Sequence, residues 1–169
     1  MSIKILIVGP AASGKTTLAK QLQAKGFKVA KLHTTRPKRY ENDDEYYFTR
    51  PIRENTFVSC DFNGWVYTLT VLGLAYNDVF IVGPKMAQMI KDKAPEYKYL
   101  TIFLDVPESV RYERLMQREM PGDTVIGRLG RDRADFAHFT EYDIRIHENH
   151  EQQPDVILKA LTHIKETPC

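Results

Sequence analysis

Short apolar runs alternate along the chain with segments whose apolar residues recur at helical spacing. The apolar runs predict buried strands at Ile3–Val8 and at residues 28–32, 78–82, 99–104 and 144–147. Segments with a helical period follow at residues 16–25, Pro84–Lys93, and residues 107–118, 125–138 and 154–164. Because strands alternate with helices, we predict an α/β fold with a central parallel sheet, helices on both faces and right-handed crossovers.

Residues 33–70 depart from this alternation. Polar and aromatic residues mix there with short alternating runs, and Asn63-Gly64 is a typical hairpin turn. We therefore predict one domain of 169 residues, with a core of residues 1–32 and 71–169 and an inserted lobe at residues 33–70. A second interruption, Met120-Pro121-Gly122-Asp123, separates two helical segments.

The turn between the first strand and the first helix carries a phosphate-binding pattern. Its residues, Gly9-Pro10-Ala11-Ala12-Ser13-Gly14-Lys15-Thr16-Thr17, match G-x-x-x-x-G-K-[ST] between a strand and a helix. In such a loop, successive backbone N–H groups and a helix N-terminus surround a polyanion. The alternative is a glycine-containing turn that binds nothing, and the match of every part of the pattern disfavours it.

This pattern assigns roles to individual residues. Lys15 is predicted to reach the β- and γ-phosphates of ATP, and the Thr16 hydroxyl is predicted to ligate Mg²⁺. The residues predicted to bind ATP are Gly9, Ala11, Ala12, Ser13, Gly14, Lys15, Thr16 and Thr17.

Charge and cysteine content narrow the setting. The 24 Lys and Arg residues nearly balance the 22 Asp and Glu residues, so no global field indicates a membrane or nucleic-acid partner. Two clusters of basic residues stand far apart in the sequence, at residues 36–39 and 111–133, which suits two phosphate groups. The two cysteines do not make a disulfide framework, and the N-terminal apolar run is too short to span a membrane. The sequence therefore predicts a cytoplasmic protein.

A second motif lies in the inserted lobe. Thr34-Thr35-Arg36-Pro37-Lys38-Arg39, followed by Glu45-Tyr46-Tyr47-Phe48, resembles the signature of guanylate kinases. The hairpin Phe62-Asn63-Gly64-Trp65-Val66-Tyr67 resembles a further part of that family. The resemblance implies that Arg36, Arg39, Tyr46 and Tyr67 clamp the phosphate of an acceptor nucleotide. Planar guanidinium groups suit this role because they bind phosphate through two hydrogen bonds. The alternative for the two arginines is a solvated loop.

Two helical segments resemble the lid of a nucleoside monophosphate kinase. They contain Arg114-Leu115-Met116-Gln117-Arg118 and Gly127-Arg128-Leu129, and the implied lid spans residues 118–128. The resemblance implies that Arg118 and Arg128 close over the transferred phosphoryl group. Arg114, Arg131 and Arg133 are instead expected on the outer helix faces, paired with Glu113 or Asp132.

Together these resemblances imply a P-loop three-layer sandwich with a nucleotide-binding lobe and a short lid. The implied activity transfers the γ-phosphoryl group of ATP to a nucleoside monophosphate, with Lys15, Arg118 and Arg128 as catalytic residues and Mg²⁺ on Thr16. The expected partners are ATP and the monophosphate, without a membrane or nucleic acid, in a monomer or homodimer.

The chain departs from guanylate kinases at the base-binding positions. Val58 and Leu32 stand where that family has residues that hydrogen-bond guanine, and residues 79–84 lack the acids that usually end this strand. The sequence therefore predicts an apolar pocket that favours a pyrimidine. A displaced alignment returns guanine, with Glu54 or Asp61 as the carboxylate. Asp105 resembles the Leu-Asp-x-Pro run of thymidylate kinases, and we interpret it as a strand-end cap.

Two other functions stay open. A kinase for a hydroxyl group, on a small metabolite or on a base in DNA, needs a general base from Asp43, Asp44 or Asp61. The second alternative is a non-catalytic, guanylate-kinase-like binding module. The intact Gly14-Lys15-Thr16 argues against it, because a module without catalysis does not need this motif.

Overall fold

The computed structural model describes residues 3–52, 54–118, 123–147 and 153–166. The elements in chain order are β1 (Ile3–Val8), α1 (Lys15–Ala24), β2 (His33–Thr34), β3 (Tyr47–Phe48), β4 (Thr56–Phe62), β5 (Trp65–Thr70), α2 (Val71–Tyr76), β6 (Val79–Ile81), α3 (Pro84–Lys93), β7 (Lys98–Leu104), α4 (Glu108–Met116), α5 (Val125–Phe136), β8 (Ile144–Ile146) and α6 (Gln153–Glu166).

The main sheet has the strand order β6-β1-β7-β8, and all of its pairs are parallel. Ile5 of β1 lies between Val79 of β6 and Leu100 of β7. Residues 4–8 of β1 are all buried, as expected for a central parallel strand covered on both faces. The predicted α/β fold with a central parallel sheet is confirmed.

Alternate residues of β1 enter two different hydrophobic layers. Ile5 and Ile7 pack with Leu22 of α1 and Ile157 of α6. On the other face, the cluster that contains Leu6 and Val8 includes residues of α3 and of the β4–β5 hairpin. This alternation follows from the two-residue period of a strand, and it gives the predicted three-layer arrangement.

Residues 33–70, the predicted inserted lobe, form a second sheet with the order β3-β2-β5-β4. Strands β4 and β5 are antiparallel, with Phe62 opposite Trp65 on either side of the Asn63-Gly64 turn. Val58 and Leu69 of this hairpin are buried in the same cluster as Leu6 of the main sheet. The lobe is therefore packed on the core through an apolar face.

The predicted strand at residues 28–32 is reduced to one bridge. Val29 pairs with Val79, and the Ala30 N–H donates to the Val79 carbonyl at 2.8 Å. The chain then leaves the main sheet, because His33 and Thr34 pair with β3 and β5 of the lobe.

Helix α2 was not predicted, because it is short and contains Gly73. The Thr70 hydroxyl caps its first turn by accepting from the Gly73 N–H at 3.0 Å. Buried Lys4 holds the other end, donating to the carbonyls of Leu74 at 2.8 Å and Asn77 at 2.7 Å. Burial lowers the pKa of Lys4, and the Asp78 charge opposes this effect.

Of the implied lid, residues 118–128, residues 119–122 lie outside the described residues. The structure describes Arg118 at one side of them and Asp123 and Thr124 at the other. Within the described ranges, none of the helices has the length and apolar character needed to cross a membrane.

Candidate active site

The phosphate loop lies tightly against the end of β7. A Cβ atom at Gly9 would lie 2.8 Å from the Leu104 carbonyl oxygen and 2.7 Å from the Ser13 Oγ, so a side chain there would displace the loop. Gly14 has a φ of 94°, in the left-handed region, and α1 begins directly after it. The loop therefore leads into a helix N-terminus as its sequence predicts.

Lys15 lies at the centre of this loop. Its Nζ donates to the carbonyls of Gly9 and Pro10, both at 2.7 Å. Burial and the nearby Arg128 charge lower the pKa of Lys15 to about 7, with further lowering from Arg39 and Arg118 against the opposing charge of Asp132. The two predicted lid arginines and one predicted clamp arginine therefore act on the same point. Such a concentration of positive charge suits a polyanion.

Asp132 of α5 is a site residue that the sequence analysis missed. Its side chain is 2% exposed, and its Oδ2 accepts from the Ala11 N–H at 2.9 Å and from the Arg111 guanidinium at 3.2 Å. Arg128 is 3.6 Å away, one helical turn earlier. One buried carboxylate thus joins the phosphate loop to α4 and α5, and it turns the Ala11 amide toward itself. The available signal was the position of Asp132 four residues after Arg128 and three after buried Leu129.

The arginines expected on outer helix faces divide into two kinds. Arg114 donates to the Ala12 carbonyl of the phosphate loop at 3.0 Å, so the prediction of an outer-face position is wrong for it. Arg131 pairs with Asp123, and Arg133 pairs with Glu108 rather than with the predicted neighbours. Arg114 reaches the loop because it lies one turn after buried Arg111 on the face of α4 that packs toward α5.

Arg36 of the lobe is almost fully buried. Its Nη2 donates to Asp43 at 3.1 Å and its Nη1 to the Pro37 carbonyl at 2.9 Å, and its guanidinium lies 5.4 Å and 5.2 Å from the rings of Tyr46 and Phe48. This is an arginine fixed in one orientation. Its Nε lies buried without a hydrogen-bond partner among the described residues.

Asp43 organises the loop that carries the predicted clamp. Besides Arg36, it accepts from the N–H groups of Arg39 at 3.1 Å and Glu45 at 3.4 Å. Burial alone raises the pKa of Asp43, but the Arg39 N–H and the Arg36 guanidinium outweigh burial and hold that pKa below its ordinary value. The carboxylate therefore stays charged beside Arg36.

Aromatic rings connect the lobe to α5. Tyr46 packs on Tyr67 with ring centroids 5.5 Å apart, and Tyr67 packs on Phe62 at 6.3 Å. The Arg128 guanidinium lies 4.7 Å from the Phe62 ring. Burial, together with the neighbouring Tyr67 and Glu45, raises the pKa of Tyr46 to about 12. The structure thus brings Arg36, Tyr46 and Tyr67 together, next to Arg128.

The predicted metal ligand contacts a residue of the lobe. The Thr16 Oγ1 donates to the Glu45 Oε1 at 3.0 Å. No local pattern in the sequence indicates a role for Glu45, because its contact with Thr16 spans 29 positions. Thr17, which is also predicted to bind ATP, is the next residue of α1, and its side chain is exposed.

The hairpin presents different residues on its two faces. Val58 lies opposite Leu69 and Cys60 opposite Tyr67, so these four side chains share the apolar face. Asp61 falls on the other face, where its Oδ1 accepts from the Gly64 N–H at 3.2 Å. Burial raises the pKa of the Cys60 thiol.

Val58 and Leu32, at the positions predicted to face the base, and Asp105, at the end of β7, have the following surroundings. Val58 and Leu32 are each 3% exposed, within the apolar core. Asp105 was predicted as a cap, but its carboxylate pairs with Arg145 of β8 at 2.9 Å and lies 3.6 Å from His147. Asp105 is therefore part of an ion pair between strand ends, because β7 and β8 lie side by side.

A family model described as an AAA domain matches residues 5–135. The chain belongs to this family. The matched residues begin in β1 and end in α5. They include the phosphate loop, the lobe and Asp132.

Solved structures share the fold. The guanylate kinase from Anaplasma phagocytophilum has a TM-score of 0.69 at 16% identity, over 99% of this chain and 88% of that chain. A sugar kinase from Janibacter sp. HTCC2649 has a TM-score of 0.52 at 15% identity, over 99% of this chain and 97% of that chain. At such identities the likeness concerns the fold, and the predicted guanylate-kinase-like P-loop fold is confirmed. No curated protein matches the chain.

Proposed function

We propose that the chain is an ATP-dependent nucleoside monophosphate kinase that yields a nucleoside diphosphate. The observation that carries this proposal is the convergence on Lys15. Arg39 from the lobe and Arg118 and Arg128 from α4–α5 all act on its charge. Cations that approach one point from the lobe, from the end of α4 and from α5 suit a reaction in which two phosphate groups meet, because both groups and the transferred charge must be neutralised there.

The residues divide the work of the reaction by position. Lys15 and the loop amides other than the Ala11 N–H, which Asp132 holds, bind the donor phosphates, and Arg118 and Arg128 stabilise the charge that spreads over the transferred group. Arg39, Tyr46 and Tyr67 hold the acceptor phosphate in line, together with Arg36, which Asp43 fixes beside the Tyr46 ring. That phosphate is already ionised at neutral pH, so the chain need not supply a general base.

Mg²⁺ is the proposed cofactor. The Thr16 hydroxyl and the Glu45 carboxylate beside it are hard oxygen donors, which suit this ion. We assign Thr16 as a residue that would hold it, and when bound the ion would neutralise the β- and γ-phosphate oxygens.

We propose a pyrimidine as the acceptor base. On the hairpin face that carries Tyr67, Val58 and Leu69 are buried in the core and Cys60 is half-buried, so this face offers no carboxylate to the N–H groups of guanine. Asp61 lies on the opposite face, and Glu54 is exposed. A guanine buried beside Tyr67 without acceptors would lose about 1–3 kcal/mol per unpaired group.

A hydroxyl acceptor is less well supported, because two of the three candidate bases, Asp43 and Asp61, already accept hydrogen bonds, and Asp44 is exposed on the surface. Asp43 is committed to Arg36 and to two amides, Asp44 lies 3.9 Å from Lys31, and Asp61 binds the hairpin turn. The paired clamp residues likewise favour a phosphate over a hydroxyl. The cytoplasmic location and the monomeric or homodimeric state stay predictions from the sequence.

A coupled assay with ATP and Mg²⁺ tests the proposal. We expect turnover with deoxynucleoside monophosphates and none with the matching nucleosides, and we expect Lys15→Ala to lose at least ~10²-fold. Turnover with nucleosides would favour the hydroxyl kinase. A preference for dGMP above about tenfold over every pyrimidine would refute the proposed base but not the proposed reaction.

A further inference from the structure

One hydrogen bond joins the phosphate loop directly to the acceptor lobe. The Thr16 Oγ1, at the start of α1, donates to the Glu45 Oε1 at 3.0 Å. Glu45 immediately precedes Tyr46 of the predicted clamp, and both residues line one cleft with Thr16. Glu45 is half-buried, and Asp43 holds its backbone N–H. The carboxylate is therefore placed by the ordered 36–45 loop.

The main sheet offers no comparable carboxylate at this point. In many P-loop enzymes an acid at a strand end works with the loop Ser or Thr to hold Mg²⁺. Strand β6, next to β1, is followed here by Val82-Gly83-Pro84. Asp105, after β7, is engaged by Arg145. Among the described residues, Glu45 is the carboxylate that hydrogen-bonds the Thr16 hydroxyl.

We propose that Glu45 supplies the protein carboxylate of the Mg²⁺ site on Thr16, in place of a strand-end acid. By accepting the hydroxyl proton of Thr16, Glu45 leaves the oxygen lone pairs of that hydroxyl directed at a cation. Its own negative charge attracts the ion to the same place. The inference rests on the proposed function for the presence of ATP, but not on the identity of the acceptor.

This arrangement links the metal to the lobe. A strand-end acid belongs to the rigid core, whereas Glu45 belongs to the segment that carries Arg36, Arg39 and Tyr46. Binding of Mg²⁺ with ATP would therefore favour the docked position of that segment, and disturbing the segment would weaken the metal site.

The test compares ATP binding with Mg²⁺ and with EDTA by calorimetry, without any acceptor or turnover. Glu45→Gln should reduce the Mg²⁺-dependent gain in affinity by about 10-fold or more and leave metal-free ATP affinity within about twofold. Glu45→Asp keeps the charge one methylene further back and should recover part of the gain. Glu41→Gln, an exposed glutamate of the same segment, is the matched control and should behave as the unaltered chain.

Electron paramagnetic resonance of Mn²⁺ gives a second readout. Glu45→Gln should reduce the fraction of Mn²⁺ bound in the ternary complex with ATP, and adding Thr16→Val to it should cause a smaller loss than Thr16→Val causes alone, because the two groups act on one ion. An unchanged metal-dependent gain in Glu45→Gln would overturn the inference.

The same measurements separate this inference from the proposed function. If the unaltered chain binds ATP with Mg²⁺ but phosphorylates no monophosphate, only the proposed function fails. If the unaltered chain shows no Mg²⁺-dependent ATP binding, both fail.

Discussion

The phosphate loop and the inserted lobe, residues 33–70, hold their polar groups in place by different means. The loop is shaped by its backbone: Gly9 fits against the end of β7, and Gly14 adopts the left-handed conformation that opens α1. In the lobe, Asp43 fixes Arg36 and two amides, and the arrangement depends on side chains.

This difference determines which substitutions each region tolerates. The phosphate loop depends on its glycines and on the adjacent strands of the main sheet, so we expect its shape to tolerate substitution of many nearby side chains. The lobe depends on a charged group and on the rings packed around it. Asp132 is the exception on the loop side, because a side chain of α5 holds the Ala11 amide there.

Replacing Asp132 should have the largest effect and tests this exception. Asp132→Ala removes the nearest carboxylate from the buried cation of Arg111 and leaves the Ala11 N–H without its acceptor, which should cost about 3–5 kcal/mol in the free energy of unfolding. Urea unfolding measures this loss. Asp135→Ala, exposed on the same helix, is the control and should stay within about 0.5 kcal/mol of the unaltered chain. A loss below about 1 kcal/mol for Asp132→Ala would mean that the backbone alone holds the loop.

Replacing Arg39 comes next and tests the lobe without unfolding it. Arg36 is a poor probe, because removing it strands buried Asp43, whereas only the backbone N–H of Arg39 contacts that carboxylate. Arg39→Ala should lower acceptor kcat/KM by about 10- to 100-fold, which corresponds to about 1.5–3 kcal/mol for a charged hydrogen bond.

The control for Arg39 is Arg50→Ala, an exposed arginine of the same lobe, which should leave acceptor kinetics unchanged. Steady-state kinetics with each substrate varied in turn separates the two sites. If Arg39→Ala impaired ATP binding and spared the acceptor, the two regions would have exchanged roles.

The smallest expected effect is a difference in pH dependence. Lys15 has a pKa of about 7 in the folded chain against an ordinary 10.5. Between these values the unfolded chain binds more protons, so stability should rise with pH, by less than about 1.4 kcal/mol per pH unit. Asp43 affects stability at low pH instead. Because its pKa in the folded chain is lowered, its contribution to the free energy of unfolding is lost only as the pH falls into the acid range.

Urea unfolding at pH 7.5 and 8.5 should therefore show a smaller rise for Lys15→Met than for the unaltered chain. Lys25→Met, at the exposed end of α1, is the matched control. If the free energy of unfolding rose equally with pH in Lys15→Met and in the unaltered chain, the loop environment would not oppose the charge of Lys15.

The sequence predicted the parts of the molecule that depend on contiguous patterns. The strand Ile3–Val8 and the helix Pro84–Lys93 have the predicted bounds, because an apolar run and a proline at the first helical turn are local signals. The hairpin turn at Asn63-Gly64 is equally local.

Contacts between distant residues were not predictable in the same way. The bond from Ala11 to Asp132 spans 121 positions, and Arg114 was assigned to a surface because arginine is common on exposed helix faces. The strand predicted at residues 28–32 fails because residues 33–34 pair with the lobe, a tertiary preference that overrides the local pattern. The catalytic and clamp roles themselves stay predictions.

The central claim is that one cleft holds two phosphate groups, one at each region. A bisubstrate analogue that joins adenosine to thymidine through five phosphates tests it most directly, by calorimetry with Mg²⁺. We predict that the analogue binds at least about 10²-fold more tightly than ATP, because its second half binds at a high effective concentration. Both Lys15→Ala and Arg39→Ala should lower this affinity. An analogue that binds no more tightly than ATP, with an affinity insensitive to Arg39→Ala, would contradict the account.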